Sequence, residues 1–334
     1  GVAIGDDPLL LVEVDRRPVS RIGSPRSGSE AGLRTVAGIL DGTSVHATWS
    51  ATRVADDVWE LGLLLRNDGA AMVRITRMDP LSIGLGGGHW RCRWYRSAWG
   101  DEFRPQEGTT RHDTVLDVRA GRSSHGMAPW LGVEREATAG GGSAGPGLIV
   151  APAWSGNWHI HLLAGGHVTA GISPWELSVD LAPGEAVTAP SVVLAAGPDL
   201  EGAALSLQAA VRDRWLPRTA FTDSVPVEWN HWWPYEDAEV TEAVIAANAT
   251  VAGELGIPIV TVDAGWFGAS DATSDWQEQR GDWHLVNRER FPSGLVALGE
   301  RTRAAGGLPG IWIEAEAVGA DRKSTRLNSS HGYI

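Results

Sequence analysis

Two domains of different class, an N-terminal β-sandwich followed by the first part of an α/β barrel, are what this sequence predicts. Three observations carry the prediction. Up to about Leu200, short apolar runs alternate with polar residues and are punctuated by Gly, Pro, Asn and Asp at roughly ten-residue spacing, the rhythm of a sandwich. From Val227 the rhythm changes to strand, helix, strand, helix, strand, and the strands are apolar almost throughout, as in a parallel sheet covered by helices. The chain's 334 residues are also enough for two separate cores.

The sandwich runs are, in order, "LLLVEVDRRPV", "SVHATWSATRV", "VWELGLLLRN", "MVRITRM", "GLIVAPAW", "NWHIHLLAG" and "WELSVDL". "ATAGGGSAGPG" (137–147) reads as a flexible loop, and "GLGGG" (84–88) as a turn, because it lacks the strand-then-helix context of a phosphate loop. Ala203 to Trp215 is predicted helical, with Leu205, Ala209 and Arg212 on one face. The resulting boundaries are 1–215 for the sandwich, 216–225 for a linker, 226–320 for the barrel portion and 321–334 for a tail. That tail, "DRKSTRLNSSHGYI", turns abruptly basic and Ser-rich and reads as non-native.

In the barrel portion "VEWNHWW" is the first predicted strand. Val240, Ala243, Val244, Ala247, Val251 and Leu255 recur at helical spacing, and Gly256 stands where a helix ends in a left-handed residue. "PIVTVDAGWFG" is the second strand. A polar loop leads to a second helix, capped by Ser293 and ended by Gly306, and "LPGIWIEAEAV" is the third strand. Barrels of this kind place functional residues at the C-terminal ends of their strands. Trp232, Asp263, Trp266, Trp312 and Glu316 fall there, so the charge that closes the β-branched run Ile259–Val262 marks the barrel mouth. Trp232 and Trp233 follow the first strand, and alternation turns one of them toward the mouth.

Composition narrows the partners. A net charge of -13 disfavours nucleic acid and anionic membranes, and no apolar run approaches the length of a membrane span. Cys92 stands alone, which excludes an internal disulfide and a Cys-based zinc site. His159 and His161 share a strand face and His125 lies elsewhere, but no third ligand is evident, so neither metal nor cofactor is expected. The 17 Trp against 4 Phe and 3 Tyr suit either core filling or flat faces on which a pyranose stacks.

With these pieces in place, "WNHWW", "ELGIPIVTVDAGWFG" and "GDWHLVNRERFPSGLVALGERTRAAGGLPGIWIEAEAV" together resemble the first three βα units of glycoside hydrolase family 36. "SAWGDEFRP", "GRSSHGMAPWLGV", "APAWSGNWHIHL" and "LAPGEAVTAPSVVL" are similar, in the same order, to that family's N-terminal domain, so the resemblance runs from about Trp90 to Gly319. It implies a multidomain β plus α/β protein: an N-terminal β-supersandwich and the first part of a (β/α)8 TIM barrel. It further implies an α-galactosidase that hydrolyses terminal α-galactosides with retention, through a covalent glycosyl-enzyme and without a cofactor. A homo-oligomer, commonly a tetramer, and a cytoplasmic location are expected of the full-length form.

The resemblance also assigns residues. Family members carry Asp-Asp-Gly-Trp at the end of the second barrel strand, where both carboxylates bind sugar hydroxyls. Asp263 matches the first and Ala264 replaces the second, removing a charge-assisted contact of about 1.5–3 kcal/mol and opening room beside the terminal sugar. Trp312 matches a Trp lining the terminal-sugar subsite, Trp266 is expected in the same wall, and Asp282 with Trp283 resembles a feature next to it. The nucleophile and acid/base are Asp residues on the fourth and sixth strands, beyond this chain, so Glu314 and Glu316 form a polar layer and the chain is expected to be inactive. An α-N-acetylgalactosaminidase, a galactosyl transferase and a non-catalytic carbohydrate-binding protein are the alternatives.

Overall fold

The computed structural model describes residues 9–136, 145–219 and 225–315, together with 317 and 319. Most of the expected 137–147 loop, Glu316 and the 321–334 tail lie outside the described residues. The chain divides into two compact units, Gly1–Leu216 and Pro217–Ile334.

The first unit is built on a nine-stranded antiparallel sheet. Its spatial order is Arg104–Thr109, Trp90–Ser97, Gly126–Arg135, Gly147–Pro152, Ala186–Gly197, Val58–Asn67, Val45–Ala55, Leu33–Leu40 and Ile22–Glu30. Two four-stranded antiparallel sheets share one apolar core with it. One is ordered Val179–Leu181, Val73–Asp79, Leu11–Val14, Arg17–Val19, and the other Thr114–Asp117, Trp158–Leu163, His167–Ile172, Leu81–Gly84. Period-two burial makes the face: Val45, Ala47, Trp49 and Ala51 point inward opposite Leu61, Leu63 and Leu65. Trp49 is wholly buried and donates its indole N–H to the Pro80 carbonyl at 2.9 Å. Pro129 and Pro190, which cannot donate to a ladder, each sit where the pairing register shifts.

A helix, Leu200–Ala210, closes the unit, capped by the Asp199 carboxylate on the Gly202 amide, and Val211–Trp215 widens into a π turn. The expected face is corrected. Leu205 is 59% exposed, and the buried side runs through Ala203 and Ala210, because this helix packs closely through alanines.

The second unit holds three parallel strands in sequence order, Glu228–Asn230, Ile259–Val262 and Leu308–Ile311. The helix Glu242–Glu254 connects the first two; Thr241 caps it through the Val244 amide, and Gly256 ends it at φ +71°. The helix Gly294–Ala304 connects the second and third strands, with Gly306 beyond it at φ +93°. Ser293 does not cap it, since its backbone is already helical. The first turn is instead reached by the buried Glu242 of the other helix, whose carboxylate accepts the Ser293 amide at 2.8 Å and pairs with Arg301. That places a negative charge at the positive end of the helix dipole.

Candidate functional site

The three parallel strands run in register, so their C-terminal ends come together. Asn230 pairs with Thr261 and Val262 with Ile311, which sets the residues following each strand side by side: His231, Asp263 and Trp312. The Trp312 amide continues the ladder to the Val262 carbonyl at 2.8 Å.

Asp263 is half-buried and held at several points. Asn230 Nδ2 donates to its Oδ2 at 2.7 Å, and the Ala264 amide donates to its Oδ1 at 2.7 Å. The Asp263 amide itself donates to His231 Nδ1 at 2.8 Å. His231 is fully buried, and burial pushes its pKa below the ordinary value, against the pull of the Asp263 charge. A carboxylate oxygen offers two lone pairs, so Asp263 keeps acceptor capacity toward a ligand hydroxyl beyond these contacts.

Aromatic rings surround this end of the sheet. Trp232 meets Trp276 edge-on at 5.5 Å, Trp276 meets Trp312 at 5.8 Å, and Trp283 meets Trp312 at 5.8 Å. Phe267 sits among them, 4.5 Å from Trp283 and 5.2 Å from Trp266. Such edge-to-face pairs each add about 0.5–1.5 kcal/mol beyond area burial. Trp232, Trp276 and Trp312 are half-buried, presenting part of each ring to solvent.

The loop that carries Trp276 is organised by Arg290, a residue that sequence reasoning missed. Its buried guanidinium donates to the carbonyls of Gly265 at 3.1 Å, Ala272 at 2.7 Å and Ser274 at 3.1 Å. Burial lowers its pKa while Asp237 and Asp271 oppose the shift, so a cation satisfied mainly by backbone carbonyls stands inside the unit. Gly265, at φ +100°, fits beneath it: a Cβ there would lie 2.9 Å from Val240, 3.0 Å from Asp237 and 3.1 Å from Arg290.

Two comparisons bear on what this arrangement belongs to. Residues 187–331 match the family described as Melibiase, and residues 41–182 match that described as the Glycosyl hydrolase family 36 N-terminal domain. This chain belongs to glycoside hydrolase family 36.

Among curated relatives, the chain is 30% identical over 261 residues to alpha-galactosidase AgaA of Geobacillus stearothermophilus, covering 75% of this chain and 34% of that protein. It is 29% identical over 271 residues to a probable alpha-galactosidase G of Aspergillus terreus, covering 77% of this chain and 37% of that one. The crystal structure of the same AgaA superposes with a TM-score of 0.76 at 23% identity, over 97% of this chain and 48% of that chain, which shows a shared fold. The sequence match thus spans about a third of the length of these curated relatives, and the structural match about half of AgaA.

The structure sorts the residues that the sequence nominates. It brings Asp263, Trp312 and Trp232 to the strand ends, with Trp232 on a single helical turn, Trp232–Tyr235, that follows a strand ending at Asn230. Strand alternation therefore does not choose between the two indoles: Trp232 packs on Trp276, and Trp233 is 80% exposed. Trp266 is corrected from wall to core, since it is 3% exposed and its indole N–H is engaged by the Trp312 carbonyl at 3.0 Å. Trp283 likewise donates to the Ala317 carbonyl at 3.0 Å, and Asp282 lies against Gly319, so this pair fastens the segment that follows the third strand. Ala264 is 2% exposed and belongs to the core, so its small side chain opens no room at the mouth.

Glu314 makes an ion pair with Arg280 at 3.2 Å, in keeping with a polar layer, while Glu316 lies outside the described residues. In the sandwich, His159 Nε2 meets Asp79 at 2.8 Å with His161 stacked edge-on beside it, and no group of His, Cys, Asp or Glu among the described residues is disposed to hold a metal ion. A groove of about 370 Å³ between the helix Gly294–Ala304 and its strands is lined by Val262, Leu298 and Pro309 together with Glu300, Thr302 and Arg303. No helix among the described residues is long and apolar enough to cross a membrane.

Proposed function

We propose that this chain carries the sugar-recognition side of an α-galactosidase mouth, with Asp263 accepting hydrogen bonds from hydroxyls of a terminal α-galactosyl unit. The observation that supports it most is the pairing of a fixed, half-buried carboxylate with the half-buried Trp312 directly across the strand register. A carboxylate reads hydroxyl geometry, and an indole face covers the apolar C–H side of the pyranose; together they select one sugar face. Trp232 and Trp276 extend that wall, while Trp283 and Asp282 support the segment behind it. AgaA variants of Geobacillus stearothermophilus have been crystallised with stachyose and with raffinose, so an α-galactosyl oligosaccharide is the substrate class we assign here.

Retaining hydrolysis requires two carboxyl groups about 5 Å apart, one to attack the anomeric carbon and one to protonate the leaving oxygen. We assign neither role to Glu314, which is paired with Arg280, nor to Asp263, which is held by Asn230 and the Ala264 amide. The family resemblance implies both catalytic carboxylates on later barrel strands, and the full-length form is proposed as a homo-oligomer.

The test is a binding and turnover pair on this chain. Methyl α-D-galactopyranoside is expected to shift the NMR signals of Asp263 and Trp312, and Asp263→Asn to weaken that binding about 10- to 100-fold, the equivalent of one charge-assisted bond. p-Nitrophenyl α-galactoside is expected to stay intact. Release of p-nitrophenol would place the chemistry within the chain, and an unmoved Asp263 signal would end its assignment as a sugar ligand.

A further inference from the structure

We propose that His231 is the positioning residue for Asp263: its imidazole accepts the Asp263 amide while the adjacent Asn230 holds the carboxylate, so that two consecutive residues clamp the mouth carboxylate from two directions. The functional meaning rests on Asp263 being the sugar ligand; the clamp itself rests on geometry alone.

The need for the clamp arises from the ends of the strands. Asp263 follows the last residue of its strand, and the neighbouring first strand has already stopped at Asn230, so the ladder offers the Asp263 amide no carbonyl on that side. His231 Nδ1 fills the gap at 2.8 Å. An accepting Nδ1 is a deprotonated one, which makes the ring neutral with its proton on Nε2. That nitrogen is buried and has no hydrogen-bond partner among the described residues. A buried N–H without an acceptor is a penalty that an apolar side chain at this position would avoid. The fold carries it where the other ring nitrogen has a job, and here that job is Asp263.

The neighbouring contact fixes the remaining freedom. Asn230 Oδ1 accepts the Trp232 amide at 2.8 Å, which orients its amide so that Nδ2 faces Asp263 Oδ2 at 2.7 Å. With the Ala264 amide on Oδ1, both the peptide and the side chain of Asp263 are held, and its remaining lone pairs keep one orientation. Preorganisation of this kind lets a ligand bind without first ordering the group that receives it.

The experiment uses the whole chain labelled with 15N and 13C. In the wild type, a scalar coupling across the hydrogen bond between the Asp263 amide nitrogen and His231 Nδ1 is expected, with the imidazole in the Nε2–H form. His231→Leu removes the acceptor and is expected to shift the Asp263 carboxyl and Asn230 side-chain amide signals and to weaken methyl α-D-galactopyranoside binding about tenfold. His231→Asn, whose Oδ1 falls near the position of Nδ1, is expected to restore the signals and to bring binding within about threefold of wild type. Absence of the coupling, an Nδ1–H ring, or a Leu variant with unmoved Asp263 and Asn230 signals would each overturn the clamp. A wild type that shows the coupling but no response to the sugar would sink the ligand reading of Asp263 and leave the clamp standing, so the two failures are distinct. The wild-type coupling needs no variant and decides the matter even where His231→Leu does not fold.

Discussion

The indole N–H of Trp266 is engaged by the Trp312 carbonyl, whereas Trp312 is half-buried and follows the strand beside that of Asp263. Their substitutions should therefore part company. Trp266→Ala removes a 3%-exposed side chain from the core and leaves a cavity and an unpaired carbonyl; we expect a loss of roughly 3–5 kcal/mol in urea unfolding of the barrel unit. Trp312→Ala is expected to cost less than half of that but to weaken the methyl α-D-galactopyranoside response of the Asp263 NMR signal. Sequence alone could not separate the two indoles. Each follows a barrel strand closely, and only the three-dimensional path of the chain beyond Ile311 shows which carbonyl lies in reach of which ring. Asp263 was legible for the opposite reason, since a carboxylate ending a β-branched run has few places to go but the sheet's end. Its partners Asn230 and His231 were not singled out, because neither residue type signals anything until the strand register brings it across.

At the scale of elements, the 13-residue helix Glu242–Glu254 was readable because it carries its own start and stop, Thr241 and Gly256. The helix Gly294–Ala304 shows where local reading fails: a Ser in the capping position is idle, and the anion at its first turn is Glu242 from another element. The same holds for the connection between the second strand and this helix, which read as a polar loop and is in fact built around Arg290. Replacing that guanidinium with a shape-similar apolar side chain, Arg290→Met, strands the carbonyls of Gly265, Ala272 and Ser274. Hydrogen bonds to a charged group contribute about 1.5–3 kcal/mol each, so a stability loss of roughly 3 kcal/mol or more is expected. Hydrogen exchange should report it as lost protection at Gly268 and Asn287, whose amides bridge the two sides of the loop through the Leu285 and Trp266 carbonyls.

Over the whole molecule, the change of rhythm near Val227 was visible in sequence because sandwich and barrel use different hydrophobic periods. What was hidden in the first unit was its polar interior. Asp79 is fully buried, and it receives Arg77 at 2.7 Å and His159 at 2.8 Å. His161 beside it has a pKa lowered to about 4, chiefly by burial and then by His159 and Arg77, with Asp117 and Asp79 opposing. A histidine held below its ordinary value stabilises the fold above the unfolded pKa of 6.5, and that contribution is lost as pH falls toward 4. Discounted for the part of the ring open to water, the effect is roughly 1–2 kcal/mol. Urea midpoints should therefore fall between pH 7 and 4.5 in the wild type, and less steeply in His161→Gln; parallel slopes would assign the acid sensitivity to other groups.

The succession of rings from Trp232 through Trp276 and Trp312 to Trp283 and Trp266, each 5.5 to 6.1 Å from the next, has an optical consequence. Chromophores this close and mutually tilted share their excitations, so the second unit should impose a paired positive and negative band on the ultraviolet circular dichroism, near the strong indole transition. Trp276→Phe interrupts the series in the middle and should collapse that doublet while leaving the backbone spectrum unchanged. Heating or acid should erase it when the barrel strands separate, whatever the sandwich is doing, which gives the molecule a native spectroscopic gauge of one half of itself.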